Sequence, residues 1–328
     1  MSLGYVVAVI GATGFVGKEL ATALHTSEIP IRILKLFGSA KRVSEDVYLD
    51  HDRFPVSPLP ADPLSDAQFD NVDIVFLATP KEVSAKLAPI FLDEGITVFD
   101  VGGWVYEGAP KFVHGMNFHE EFFADERYVS IPLSPAYLIS QMIWRLREFG
   151  VQGARAHISV GASYKGRDGV EELSGQVAAV YNYRDAPRKV FTQGLAFDLA
   201  PSTRGIKEEA ELIRVQVAHI LDMDESSFDI SMLYTPIFSG IGIQLQIILR
   251  NTNLEEIQEA LTGGFVGWSA NPHGPKALMG GSGVQYGHLR HDGLGQGIHL
   301  WLTADGIRAG VVDNCVGVLS HLLDQGAL

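Results

Sequence analysis

Tyr5-Val6-Val7-Ala8-Val9-Ile10 runs straight into Gly11-Ala12-Thr13-Gly14-Phe15-Val16-Gly17. The first six residues are β-branched or small and apolar, which predicts a buried strand; residues 16–24 follow with helical periodicity, and residues 31–37 return to strand character. This is a βαβ opening. The series continues with strands over residues 72–77, 97–99 and 128–131 and a helix over 81–94. Strands alternating with helices imply a doubly wound parallel sheet of Rossmann type. Pro55, Pro58, Pro60 and Pro63 crowd one connection, which suits a loop at the sheet edge.

The glycine spacing has a mechanism in this position. Gly11 makes the tight turn, Gly14 lets a pyrophosphate approach backbone N–H groups, and Gly17 lets helix and strand pack closely. The helix N-terminus then faces the anion. Gly11, Thr13, Gly14, Phe15, Val16 and Gly17 are therefore candidate dinucleotide contacts, against the alternative of an inherited turn that no longer holds a nucleotide. An NAD site usually carries an acid about twenty residues after the glycines; this chain offers Gly38-Ser39-Ala40-Lys41-Arg42 instead. A hydroxyl at Ser39 and cations at Lys41 and Arg42 suit a 2′-phosphate and favour NADP over NAD. The alternative is an ordinary solvated Lys-Arg pair.

The texture changes after Pro132. Residues 154–160, 228–233 and 244–249 read as longer antiparallel strands, 206–221 as an amphipathic helix and 298–302 as a further strand. Residues 307–323 form a mostly apolar helix expected to return to the first domain. The expected division is a dinucleotide-binding domain of residues 1–132 with 306–328, and an α+β catalytic-like or dimerisation domain of residues 133–305.

A chain of 328 residues accommodates two such domains. Its 25 Lys and Arg against 39 Asp and Glu leave a net charge of -14, a field that repels phosphate backbones and anionic headgroups. Nucleic acid and membrane surfaces are excluded as partners on this reading. Cys315 is the sole cysteine and closes no intrachain disulfide. The N-terminus has no basic n-region, and no apolar run reaches the length needed to cross a bilayer. A cytoplasmic location is expected.

At this point the chain resembles the aspartate-semialdehyde dehydrogenase family over nearly its whole length. The matching pieces are residues 11–19, 39–42, 72–78 and 98–100, Asn117, then residues 130–136, 196–201, 234–242 and 300–314. More narrowly, it is similar to the Usg-type paralogues of that amino-acid-biosynthesis enzyme. The resemblance implies a two-domain dehydrogenase fold, an NADP site and a homodimer formed through the second domain. It also implies an acyl-phosphate reductase, whose covalent thioester requires a cysteine.

The family's nucleophile position is occupied here by Ser134 in Ile131-Pro132-Leu133-Ser134, and its acid/base histidine position by Ile241. The substrate-carboxylate arginine maps to Tyr234 and the orienting glutamine to Lys165. The turn Asp100-Val101-Gly102-Gly103-Trp104-Val105-Tyr106 lacks the family's phosphate-binding cation, and Asp305-Gly306 stands where the family has Asp-Asn. Losing one member of a catalytic unit removes most of what the unit supplies, so the family activity is expected to be absent. The chain reads as a pseudoenzyme, a binding or partner protein that could associate with a true dehydrogenase.

Two other readings stay open. One is an NADP-dependent oxidoreductase on a different carbonyl substrate, with Lys165 or Tyr164 as proton donor. The other is an acyltransferase or hydrolase built on Ser134 with Lys165. Cys315 lies in the apolar C-terminal helix and is expected to be buried rather than nucleophilic. His288-Leu289-Arg290-His291-Asp292 reads as a loop, without the ligands for a metal. His273 reads as a surface group, and Trp104 either fills space or presents a ligand platform.

Overall fold

The computed structural model describes residues 4–40, 46–49, 51–103, 105–106, 108–117, 127–200 and 204–326, with the backbone alone for 204–208. The chain divides into two compact units, residues 1–133 with 311–328 and residues 134–310. Lys41, Arg42 and Trp104 lie outside the described residues.

In the first unit the strands are β1 (Tyr5–Ile10), β2 (Ile31–Gly38), β5 (Val56–Pro58), β6 (Ile74–Leu77), β7 (Thr97–Val101) and β8 (Tyr128–Ile131). They form one sheet in the order β5-β2-β1-β6-β7-β8, parallel throughout. A small antiparallel pair, β3 (Val47–Leu49) and β4 (Asp52–Phe54), lies between β2 and β5 in sequence. The strand order turns back at β1, so the crevice beyond the ends of β1 and β6 is the switch point where such sheets take ligands. Helices α1 (Phe15–Thr26) and α2 (Lys81–Asp93) connect these strands. β1 and β6 to β8 are almost wholly buried, as both faces of a parallel sheet require. Phe37, Phe69 and Phe91 stack in series on one side, at centroid distances of 4.4 and 5.4 Å, each contact adding about 1 kcal/mol beyond its buried area. The proline-rich connection is partly strand: β5 pairs with β2 at the sheet edge, where Pro58 removes no ladder donor from a central strand.

The second unit contains α3 (Ser134–Arg145), β9 (Val151–Val160), α4 (Gly166–Tyr181), α5 (Arg204–Leu221), β10 (Phe228–Tyr234), β11 (Ile241–Leu249), α6 (Leu254–Leu261), β12 (Val266–Trp268), β13 (Val284–His291) and β14 (Gly297–Ala304). Its six-stranded sheet has the order β10-β9-β11-β14-β13-β12. Two sequence expectations are corrected here. β9 and β10 are parallel, not antiparallel, because α4 and α5 intervene as a crossover. Residues 288–291 belong to strand β13, with a bulge between Gly287 and Arg290, because the nearby glycines serve the bulge and the following turn rather than a continuous loop.

A π-helical turn, Arg308–Val312, leads into α7 (Asp313–Asp324). The mostly apolar C-terminal segment is thus two windings, not one helix. α7 packs with α1 in the first unit through a buried face of Cys315, Val318, Leu319 and Leu322.

Candidate functional site

The first part of the site is the turn between β1 and α1. Gly11 N and Ala12 N both donate to Phe37 O, at 2.9 and 3.0 Å, and Gly14 N donates to Gly11 O at 2.9 Å. Gly11 has φ +90°, and a Cβ there would lie 2.2 Å from the Ala78 carbonyl oxygen. A Cβ on Gly17 would lie 2.2 Å from Gly11 O, so the helix can approach the turn only with glycine at that position. Gly14 occupies the cap position of α1 without any side-chain cap, and no acid stands in the first turn. The helix N-terminus therefore presents N–H groups and a partial positive charge to whatever lies beyond it. Gly11, Thr13 and Gly14 with the first turn of α1 fit a pyrophosphate. Ser39, just past β2, is exposed. A nicotinamide dinucleotide bound there would supply or accept a hydride.

Farther along the same unit, the Asp100 carboxylate accepts hydrogen bonds from Tyr128 Oη at 2.6 Å and Val105 N at 2.8 Å. Burial and this carboxylate push the Tyr128 phenol well above the usual range. Lys111 is a cation that sequence reading missed. It is fully buried, its ammonium donates to Ala109 O at 2.7 Å and Tyr106 O at 3.2 Å, and its chain passes so close to Gly103 that a Cβ there would be 2.7 Å from Cε. No local motif announces a buried lysine, because the carbonyls that accept from it are set by the fold of the loop. Asn117 ties the same loop, accepting from Val113 N and donating to Lys111 O.

In the second unit, Ser134 opens α3, with Pro135 in the first turn where a missing N–H costs nothing. Its Oγ is buried and has no hydrogen-bond partner among the described residues. A Cβ on Gly310 would lie 2.0 Å from that oxygen; one on Gly306 would lie 3.2 Å from it and 2.5 Å from Ile241 Cδ1. Ser134 and Ile241 are therefore brought together, across glycines that leave no room for a third side chain. Asp305 is committed to its own turn, accepting from Ile307 N at 2.8 Å, Arg308 N at 3.2 Å and Gly280 N at 2.6 Å.

Lys165 and Tyr234 also meet, through a residue that sequence reading did not single out. The Lys165 ammonium is paired with the carboxylate of Glu209, whose second oxygen accepts from Tyr234 Oη at 3.0 Å. The same ammonium lies 5.6 Å from the centroid of the Tyr234 ring. Tyr164 packs beside Tyr234 with its hydroxyl buried and unpartnered among the described residues. Burial, and next to it the Glu209 charge, hold both phenols far above the usual range, so neither is a phenolate near neutrality. The Ser134–Lys165 pairing needed for an acyl-transfer nucleophile is not formed: the lysine is on Glu209 and the serine faces glycine. Glu209 was hidden in an amphipathic helix rich in acids.

The comparisons with known proteins agree with this architecture. Residues 6–105 match the family model described as semialdehyde dehydrogenase, NAD binding domain. The aspartate-semialdehyde dehydrogenase of Rickettsia bellii is 26% identical, covering 98% of this chain and 99% of its own. The likeness to aspartate-semialdehyde dehydrogenases thus runs over nearly the whole chain. A protein named USG-1 protein homolog from Pseudomonas aeruginosa is 25% identical, with 97% of each chain covered. The crystal structure of aspartate semialdehyde dehydrogenase II from Vibrio cholerae superposes with a TM-score of 0.86 at 23% identity, covering 98% of this chain and 99% of that one.

The nucleophile and acid/base positions implied by the resemblance converge in this chain but carry a hydroxyl and an alkyl chain. Cys315 is fully buried in α7, and burial pushes its thiol far above the ordinary value, leaving essentially no thiolate. Among the described residues no group of three His, Cys, Asp or Glu side chains could hold a metal ion. No helix among them is long and apolar enough to cross a membrane.

Proposed function

We propose that this chain is a Usg-type, non-catalytic member of the aspartate-semialdehyde dehydrogenase family, a pseudoenzyme that keeps the fold, holds NADP in preference to NAD and acts as a homodimeric binding or partner protein. The observation that carries the reading is the meeting of Ser134 with Ile241. A serine hydroxyl needs an adjacent base to become a nucleophile, and an isoleucine can neither take nor give a proton. The Lys165–Glu209–Tyr234 cluster supports it, because the positions that the resemblance assigns to orienting the nucleophile and holding a substrate carboxylate are satisfied by an internal carboxylate. The preference for NADP rests on Ser39, Lys41 and Arg42; the homodimer and an association with a true dehydrogenase rest on the resemblance. A cytoplasmic location remains part of the proposal.

The test is titration of the purified protein with NADP and NAD, followed by assay against acyl phosphates, aldehydes and ketones. Saturable NADP binding without turnover, persisting in a Ser134→Cys, Ile241→His double variant, is the expected result. Turnover of an unrelated carbonyl that disappears in Lys165→Met would instead establish an oxidoreductase with different chemistry. Labelling of Ser134 by a fluorophosphonate would establish the acyl-transfer alternative, and failure to bind either nucleotide would leave a structural role.

A further inference from the structure

Two turns meet at the switch point of the first unit. Ala78 N donates to Ile10 O at 2.9 Å where β6 ends, and a Cβ on Gly11 would lie 2.2 Å from Ala78 O and 3.2 Å from Thr79 Cγ2. The residues that follow β6 therefore touch the glycine turn directly. They belong to the other half of the site. A dinucleotide lies across two mononucleotide-binding halves, and Ser39, just past the end of β2, places the adenosine 2′-phosphate on the β1–β2 side.

The helices that start from these two turns differ in charge. α1 has no acid in its first turn, whereas α2 carries Glu82 there, which offsets the partial positive charge of a helix N-terminus. The cap position of α2 is Pro80, without a side-chain cap. The pyrophosphate therefore belongs to α1, and the end of β6 suits an uncharged part of the ligand.

What the junction of β6 and α2 offers is a pair of hydroxyls. Ser84 is completely buried in α2; its Oγ lies 2.8 Å from Thr79 Oγ1 and donates to Thr79 O at 3.3 Å. A serine hydroxyl has one proton to give. With that proton on the carbonyl, the contact between the two hydroxyls takes its proton from Thr79. The Thr79 oxygen, on a half-buried residue, is left with lone pairs alone. Such an oxygen accepts from a hydroxyl and repels the oxygens of a phosphate.

We propose that Ser84 is a positioning residue for the nucleotide: it makes Thr79 an acceptor for a ribose hydroxyl of the nicotinamide half. The inference rests on the chain holding NADP and assigns the second half of that ligand to residues outside the glycine turn. Ser84, buried behind Thr79, acts only through the hydroxyl that it orients.

The experiment is equilibrium titration of the full-length protein with NADP and, separately, with adenosine 2′,5′-bisphosphate, which keeps the adenosine half and lacks the nicotinamide ribose. Thr79→Val and Ser84→Ala are each expected to weaken NADP binding about three- to tenfold and to leave the bisphosphate unchanged. The double variant should lose little more than the larger single loss, because the two hydroxyls act as one unit. Thr79→Ser, which keeps the acceptor, is expected to retain NADP affinity to within about twofold. Equal weakening toward both ligands would make the pair a prop of the glycine turn and overturns the proposal, as does an NADP affinity unchanged in Thr79→Val. Wild-type protein that binds neither ligand overturns the nucleotide reading itself, and this inference with it. Should Ser84→Ala fail to fold, the two titrations of Thr79→Val decide alone.

Discussion

Ser134 shows how little a side chain's address says about its chemistry. Its oxygen is buried, unpartnered and pressed toward Gly310, a position in which a hydroxyl is desolvated without any return. Ser134→Ala is therefore expected to leave the melting temperature unchanged or raise it, whereas a serine poised for chemistry would sit in a hydrogen-bonded network. Gly310→Ala is expected to destabilise by about 1–3 kcal/mol through overpacking, and combining it with Ser134→Ala should recover part of that loss; thermal unfolding of the three variants decides. Cys315 gives a second check at this scale. Completely buried, it should resist a thiol reagent in the native protein and react only on unfolding.

Among the elements, α4 carries an unusual load. The buried Glu172 carboxylate accepts from the backbone N–H groups of Lys189, Val190 and Phe191 at 2.7, 2.7 and 2.8 Å. One turn on, Gln176 accepts from Leu195 and Ala196 and donates to Pro187 O. Two side chains thus replace the ladder that residues 187–196 lack. Glu172→Ala leaves three amides without acceptors and is expected to destabilise by about 3 kcal/mol, with hydrogen exchange accelerated first at 189–191. Neither this helix nor its task was read from the sequence, since acceptor and donors are unrelated by any periodicity. The same limit explains the other misses. Alternation identified β9 and β10 as strands, yet their parallel direction depends on a crossover; Gly287 and Gly293 suggested a loop where a bulge and a hairpin turn stand. What was legible was whatever a local rule governs: the glycines at 11, 14 and 17, the alternation of strand and helix in residues 5–101, and the burial of Cys315. Glu209 and Lys111 were not, because the groups that bind them come from distant segments.

For the molecule as a whole, the histidines provide a pH test. Burial, followed by neighbouring positive charge, holds His299 below the ordinary value, and burial with His321 does the same for His114. Above the ordinary histidine range neither the native nor the unfolded chain binds these protons. As pH falls through that value toward the depressed native ones, the unfolded chain takes up protons that the native state refuses, so stability declines. Melting temperatures measured across this window should fall toward acid, and less steeply in His299→Gln.

The first unit is assembled from both ends of the chain. Asn314, buried at the start of α7, accepts from His114 N at 2.8 Å and donates to Phe112 O at 2.8 Å, spanning two hundred positions of sequence. A ribosome delivers Asn314 two hundred residues after the loop that it closes. Until α7 has emerged, the loop at 112–114 lacks its Asn314 partner and α1 lacks its apolar cover, so a product cut short before α7 would meet the cell's proteases and chaperones with that flank exposed.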